Sequence, residues 1–304
     1  MPQSKNLTTV VSDIYETLSC LCDSEELQIP DEHIEEFGER IKGVLKDWST
    51  PHKDRTNLRM SIIGRPMRRL WYDLKNGNLA HNRNHPSVFI KFLYGHILEE
   101  LVLLLVKMAG HKVEDEQKEI SVDGVKGHMD CKIDGEVVDI KTASSFAFKK
   151  FENGTLHDDD PFGYMAQLAG YEAAEGTEDG GFLAMNKESG ELALYQPGPF
   201  VKINIKDKIK RVREAESLDT PPAKCYNPIP DGKRGNLKLP RGCVYCPYKL
   251  ECHSDANNGQ GLRAFQYSTG LKYFTRLVSM PKVLEVTFRE RQKAGTWKLF
   301  RNFK

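Results

Sequence analysis

Apolar side chains recur with a helical period in some stretches of the chain and alternate with polar ones in others. The helical period is strongest in SVFIKFLYGHILEELVLLLVKMAGH, residues 87–111, where Gly110 is a typical helix stop. Two shorter helices are predicted within residues 8–48, and they are separated at Pro30 and Asp31, which commonly begin a helix. The first third of the chain is therefore predicted to be largely helical.

The apolar period changes to two between residues 116 and 142, which is typical of strands. The pairs Asp123-Gly124 and Asp134-Gly135 are hairpin turn signals, so this stretch is predicted to form a three-stranded antiparallel meander. A helix that begins with an acidic cap is predicted over residues 158–174, and a second hairpin over residues 180–196. An extended segment that leads into a charged helix is predicted over residues 201–218. This order of elements predicts an α/β protein.

Charge and length change this picture little. With 304 residues, the chain is long enough for one elaborated domain, and its 44 Lys and Arg nearly balance its 43 Asp and Glu. Basic residues cluster at positions 65–69 and 202–213, a pattern compatible with phosphate-backbone binding and equally with solvated helix faces. No apolar run reaches membrane-spanning length and no signal peptide begins the chain, so we expect a cytoplasmic protein without membrane contact.

Charged residues interrupt one predicted strand in GHMDCKIDGEVVDIKT, residues 127–142. Alternate residues of a strand share a face, so Asp139 and Lys141 should point the same way while Ile140 points into the core. The turn at Asp134-Gly135 should fold Asp130 back beside Asp139. Two adjacent carboxylates form a hard oxygen site suited to Mg²⁺ or Mn²⁺, and a lysine on the same face can stabilise charge on a phosphate. The alternative is that Asp139 and Lys141 lie on the solvent face of an edge strand.

Four short motifs in order resemble those of the PD-(D/E)XK nuclease superfamily, and specifically its RecB-like branch. They are Gly95 with Glu99, then Gly127-His-Met-Asp130, then Asp139-Ile-Lys141, then Gln167-Leu-Ala-Gly-Tyr171. Each motif is weak alone, and their shared order makes the resemblance specific over residues ~90 to 175. The resemblance implies a restriction-endonuclease-like core, with a central mixed sheet flanked by helices.

The resemblance also implies the roles of the site residues. Glu99, Asp130, Asp139 and the Ile140 carbonyl would bind the metal, and Lys141 would join the three carboxylates as a catalytic residue. Many RecB-like proteins have His where this chain has Glu99, whereas lambda-exonuclease-like relatives have Glu, and His96 one turn earlier is the fallback ligand. The remaining predicted residues would contact DNA: Gln167 and Tyr171 by position in their motif, and Arg68, Arg69 and Trp71 by charge and stacking.

Four of the seven cysteines lie late in the chain, at Cys225, Cys243, Cys246 and Cys252. The last three follow C-x2-C-x5-C spacing, which is similar to that of iron–sulfur RecB-like nucleases, including the CRISPR adaptation nucleases. Those proteins have their fourth cysteine far upstream, where this chain has GRPMRRLWYDL without cysteine, so Cys225 is the candidate replacement. Four thiolates serve a 4Fe-4S cluster and Zn²⁺ alike, so both stay open.

Together these features predict a metal-dependent DNA exonuclease of the phage type, active in DNA processing or recombination. DNA and a recombination or single-strand-binding protein are the partners that the resemblance implies. Two alternatives are a non-catalytic DNA-binding module on a nuclease fold and a zinc-ribbon interaction module. Three regions are expected, an N-terminal helical extension, a nuclease core and a cysteine-bound metal segment with an irregular tail, over residues 1–85, 86–220 and 221–304.

Overall fold

The structure is a computed structural model that describes residues 5–23, 25–50, 57–76, 86–286, 288–291 and 296–299. Its α-helices are α1 (Val10–Ser19), α2 (Asp31–Ser49), α3 (Met67–Lys75), α4 (Pro86–Met108), α5 (Ser145–Glu152), α6 (Tyr164–Glu175), α7 (Ile205–Glu216), α8 (Arg241–Val244), α9 (Lys249–Cys252) and α10 (Ala256–Gly259). Its strands are β1 (Val113–Glu114), β2 (Glu119–Val122), β3 (Val125–His128), β4 (Cys131–Ile133), β5 (Glu136–Ala143), β6 (Gly181–Asn186), β7 (Leu192–Tyr195), β8 (Ile229–Pro230), β9 (Leu237–Lys238), β10 (Arg263–Tyr267), β11 (Gly270–Arg276), β12 (Glu285–Val286), β13 (Phe288–Arg291) and β14 (Thr296–Leu299).

The described residues divide into two compact units. The first contains residues 5–23, 25–50, 57–65 and 86–211, and the second contains residues 66–76 and the described residues from 212 onward. This division differs from the three regions expected from sequence. Helices α1 and α2 pack against α4 in the first unit, while α3 belongs with the late cysteine segment.

The first unit is built on a five-stranded sheet with the order β1-β4-β5-β6-β7. Strands β5 and β6 run parallel, and the other neighbouring pairs are antiparallel, so the sheet is mixed. A parallel pair needs a long crossover, and α5 and α6 lie in this one. The prediction of an α/β protein with a central mixed sheet and flanking helices is confirmed.

Strand β5 is central in this sheet and has two chemically different faces. On one face, Val138 and Ile140 join an apolar core that includes Ile14 of α1 and Val106 of α4. The intervening Asp139 and Lys141 therefore point to the other face. Because β5 is paired on both sides, the alternative that these residues belong to an edge strand is wrong.

The predicted three-stranded meander is in fact two hairpins in two sheets. Strands β2 and β3 form a separate two-stranded sheet, whereas β4 and β5 pair inside the central sheet. Both predicted turns are present, with positive φ at Asp123, Gly124, Asp134 and Gly135, as tight hairpin turns require. The chain leaves strand conformation between β3 and β4, at Met129 and Asp130, and this break separates the sheets.

The second unit has its own antiparallel sheet, in the order β12-β10-β11-β9-β8. It packs a small apolar core that contains Leu239, Cys243 and Tyr273. Helix α3 belongs to the same unit, where Tyr72 stacks on Tyr248 with ring centroids 5.0 Å apart. The late chain is thus more regular than the irregular tail that was expected from its sequence. Among the helices that the structure describes, none is both long and apolar enough to cross a membrane.

Candidate active site

The candidate site lies where Asp130 meets β5. The antiparallel register that pairs Cys131 with Val138 places Asp130 opposite Asp139, as the hairpin turn predicts. The Asp130 side chain is fixed there, because its Oδ2 accepts a hydrogen bond of 2.8 Å from the backbone N–H of Ile140. The carboxylates of Asp130 and Asp139 consequently lie side by side, at the point where the chain enters β4.

Asp139 is fully buried and lacks ordinary hydrogen-bond donors. Its side chain has no solvent exposure, and its Oδ2 makes an ion pair with the Lys141 ammonium. Apart from that ion pair, neither carboxylate oxygen has a hydrogen-bond partner in the part of the chain that the structure describes. A buried carboxylate with so few donors is costly, and the Lys141 ammonium offsets that cost only in part, since burial still raises the pKa of Asp139.

The Lys141 ammonium is held from two sides. Besides its ion pair with Asp139, its Nζ lies 5.0 Å from the centroid of the Tyr164 ring, a cation–π contact. Burial acts to lower the pKa of Lys141, but the charges of Asp139 and Asp130 outweigh it and raise that pKa. Lys141 is therefore a fixed positive charge at this site.

The two aspartates carry more negative charge than the site neutralises. Burial raises the pKa of Asp130 well above its usual range, and the negative charge of Asp139 raises it further. Burial also raises the pKa of Asp139, against the attraction of Lys141. The charge of Glu99 acts in the same upward direction on both groups. The site therefore favours an additional cation or proton.

Glu99 lies on α4 within electrostatic range of the aspartates, and its contacts are with other side chains. Gln117 donates from Nε2 to Glu99 Oε1 at 3.1 Å, and His96 Nδ1 lies 3.7 Å from Glu99 Oε2. The nearby Glu99 carboxylate raises the pKa of His96, the fallback ligand, which is mostly exposed. The neighbouring Glu100 is buried, and its carboxylate lies 3.9 Å from Arg40 of α2, which covers that face of α4.

The carboxylates at the candidate site provide some, but not all, of the ligands that a hard divalent cation needs. Asp139 Oδ1, which makes no ion pair, and the adjacent Asp130 carboxylate are suitable ligands for Mg²⁺ or Mn²⁺. Within the described residues, however, no group of three or more His, Cys, Asp or Glu side chains is close enough to hold a metal ion. Glu99 and the Ile140 carbonyl as further ligands stay predictions.

The Gln167–Tyr171 motif of α6 is bonded to the strand that leads to Asp130. Gln167 donates to the Tyr171 hydroxyl at 2.8 Å, and that hydroxyl donates to the His128 carbonyl at 2.6 Å. Tyr171 is buried and packs closely on Gly127, where an added Cβ would lie 3.2 Å from its Cε1. The structure therefore gives Tyr171 an internal contact that orients the segment before Asp130.

The three residues predicted upstream as DNA contacts lie in the second unit. The Arg68 Nε donates to Cys252 Sγ at 3.1 Å, and the Trp71 Nε1 donates to the Leu218 carbonyl at 3.0 Å. The Arg69 Nε lies 3.9 Å from Asp73 Oδ2. These side chains make contacts within their own unit, and DNA binding by them stays a prediction.

The four late cysteines are neighbours within the second unit. Burial, together with the charges of Cys246, Cys225 and Cys252, raises the pKa of Cys243 to about 12. Cys243 is buried, whereas Cys225 is exposed. The thiol chemistry suits Zn²⁺ or an iron–sulfur cluster, although the described thiols do not form a three-ligand group of metal-binding geometry.

Sequence reasoning missed two residues that shape the candidate active site. Tyr164 contacts the Lys141 ammonium, and Gln117 donates a hydrogen bond to Glu99. Tyr164 stands three residues before Gln167, close to one helical turn, so it shares a face with that motif and helical spacing could have found it. Gln117 lies in the loop before β2, where no periodicity indicates a contact.

Comparison with known proteins adds two distant structural likenesses. No protein-family model and no curated protein matches the chain. The crystal structure of SSO0001 is 20% identical, with a TM-score of 0.41 over 72% of this chain and 96% of that chain. A phage-related exonuclease from Haemophilus somnus 129PT is 13% identical, with a TM-score of 0.36 over 52% of this chain and 92% of its own. Scores this low establish neither a shared fold nor a shared activity.

Proposed function

We propose that the chain is a metal-dependent DNA exonuclease that hydrolyses phosphodiester bonds. The observation that supports this most is the pair of facing carboxylates, Asp130 and Asp139, beside Lys141 on a central strand. The pair is incompletely neutralised, and Asp139 has no donor except Lys141 among the described residues. The ordered motifs that resemble RecB-like nucleases support the same class, and with it DNA processing or recombination of the phage type.

The residues have separate tasks in this proposal. Asp130 and Asp139 would hold Mg²⁺ or Mn²⁺, with Glu99 and the Ile140 carbonyl as further ligands. A bound cation of this kind supplies an activated water and positive charge against the phosphate. Lys141, fixed by Asp139 and Tyr164, orients that water or stabilises the negative charge that develops on the phosphate. Tyr171 and Gln167 position the Asp130 segment through the His128 carbonyl.

The test is cleavage of end-labelled linear DNA, single- and double-stranded, with Mg²⁺ or Mn²⁺ and with EDTA. We expect metal-dependent release of short products by the wild type and none by Asp139→Asn. The matched control is Asp123→Asn, an exposed turn residue with positive φ, a conformation that asparagine tolerates. Equal cleavage by wild type and Asp139→Asn would refute the site. DNA binding without cleavage under all conditions would favour the non-catalytic alternative.

We also propose that Cys225, Cys243, Cys246 and Cys252 bind one metal centre that stabilises the second unit. The proximity of the thiols and the Arg68 contact to Cys252 Sγ support it, because thiolates favour nearby cationic donors. Anaerobic purification followed by iron, sulfide and zinc analysis distinguishes a 4Fe-4S cluster from Zn²⁺. The control is Cys22→Ser, an exposed thiol in the first unit, which should leave metal content unchanged.

A further inference from the structure

An exposed phenylalanine stands one aromatic contact away from the candidate active site. Phe162 is 60% exposed, and its ring stacks on Tyr164 with centroids 5.5 Å apart and an interplanar angle of 24°. The Tyr164 ring also contacts the Lys141 ammonium, 5.0 Å from its centroid, and packs more loosely against Phe151 and Phe182. The stacked rings of Tyr164 and Phe162 therefore extend from the Lys141 ammonium to solvent.

The loop that carries Phe162 is rigidly held, although its side chain is exposed. Gly163 has a φ of +86°, and its backbone packs so closely on Gly64 that a Cβ on either residue would lie 2.3 to 2.4 Å from backbone atoms of the other. Asp160 accepts hydrogen bonds from the N–H groups of Gly163 and Met165 at 2.8 and 2.9 Å. An exposed phenyl ring on an ordered backbone is preorganised for a flat, apolar ligand.

Local charge indicates which part of a nucleotide would lie there. The loop follows the acidic run of residues 158–160, where Lys150 pairs with Asp159 but the net charge stays negative and disfavours a phosphate. Positive charge lies instead on the Lys141 ammonium, which contacts the face of the Tyr164 ring. A phosphate near Lys141 and an uncharged base against Phe162 satisfy both conditions.

We propose that Phe162 stacks on the nucleobase next to the scissile phosphate, and that this subsite takes a single-stranded end. The proposal rests on the nuclease function proposed above. Aromatic rings bind unpaired bases through their flat faces, irrespective of sequence. Within a duplex those faces are covered by neighbouring base pairs, so the subsite selects a frayed or single-stranded terminus.

Equilibrium binding of single-stranded oligonucleotides tests the subsite independently of cleavage. Binding is measured with Ca²⁺ in place of Mg²⁺ and again in EDTA, using an oligonucleotide series in which one abasic site is moved stepwise from each end. We expect Phe162→Ala to weaken binding by about 5- to 150-fold, the range of one base–aromatic stack. Phe162→Trp should retain binding. The control is Phe200→Ala, because Phe200 is a fully exposed phenylalanine in the short 3-10 helix after β7.

The decisive result is whether the loss of one base and the loss of the Phe162 side chain have non-additive effects on the binding free energy. One abasic position should weaken wild-type binding and have no effect on Phe162→Ala, while the melting temperatures of the two proteins remain equal. If wild type binds and cleaves DNA but no abasic position is coupled to Phe162, the subsite is refuted and the nuclease function stands. If wild type neither binds nor cleaves DNA, both proposals fail together.

Discussion

Replacing Asp130 by Asn should stabilise the metal-free protein while abolishing its activity. The side-chain amide introduced by Asp130→Asn keeps a carbonyl oxygen that can accept the hydrogen bond from Ile140 N–H, so the local geometry is preserved. At a pH above the raised pKa of Asp130, the change removes one of two buried negative charges, while the ion pair between Asp139 and Lys141 remains. The change therefore isolates the electrostatic cost of the carboxylate pair.

The magnitude follows from the cross-strand geometry. Facing side chains of antiparallel strands lie about 5 Å apart, and two like charges at that distance repel by about 3 kcal/mol at an effective dielectric constant of ~20. The lost attraction between Asp130 and Lys141 offsets part of this gain. We expect a net stabilisation of about 1–2 kcal/mol, which corresponds to a rise of roughly 2–6 °C in melting temperature.

The pH dependence of folding stability tests a second time whether Asp130→Asn stabilises the metal-free protein. Because burial and Asp139 raise the pKa of Asp130, the folded protein retains a proton that the unfolded chain has already released. Wild-type stability without metal therefore falls as pH rises from about 4, the usual carboxyl range, towards the raised pKa. The advantage of Asp130→Asn should be absent below about pH 4, grow as the pH rises, and be complete once the pH exceeds the raised pKa of Asp130.

Differential scanning fluorimetry in EDTA and in Mg²⁺ measures both effects. We expect added Mg²⁺ to raise the melting temperature of the wild type and not that of Asp130→Asn, because ligand binding stabilises only the protein that binds it. The control is Asp134→Asn on the same hairpin, which should be destabilising, since Asp134 Oδ2 lies 2.6 Å from buried His111 Nδ1. A lower melting temperature for Asp130→Asn than for wild type in EDTA at pH 7.5 would refute the reasoning.

Three further changes test the surrounding contacts. Lys141→Ala should slow single-turnover cleavage by about 10²-fold or more at saturating Mg²⁺, and rescue by additional metal alone would make Lys141 structural. Tyr171→Phe loses the buried hydrogen bond to the His128 carbonyl, so urea denaturation should show a loss of about 1 kcal/mol, and no loss would contradict that contact. Cys243→Ala should release the bound metal and lower the melting temperature of the purified protein, whereas an unchanged metal content and melting temperature would exclude the cysteine centre.

The sequence by itself determined the local geometry of the candidate site. The period of two placed Asp139 and Lys141 on one face, and the turn at Asp134-Gly135 brought Asp130 opposite Asp139; the structure has both. These features depend on backbone alternation and on a tight turn, which are properties of a few consecutive residues. Short-range periodicity was sufficient for them.

The contacts between elements that are distant in sequence were decided only by the tertiary structure. Tyr171 bonds to His128 across 43 residues and Arg68 bonds to Cys252 across 184, and neither contact could be predicted from the sequence. Glu100 is buried because α2 packs on α4. Charge and spacing within one segment do not specify which distant element will cover it. That choice is made by packing between distant elements, which also places Tyr164 of α6 beside Lys141 of β5.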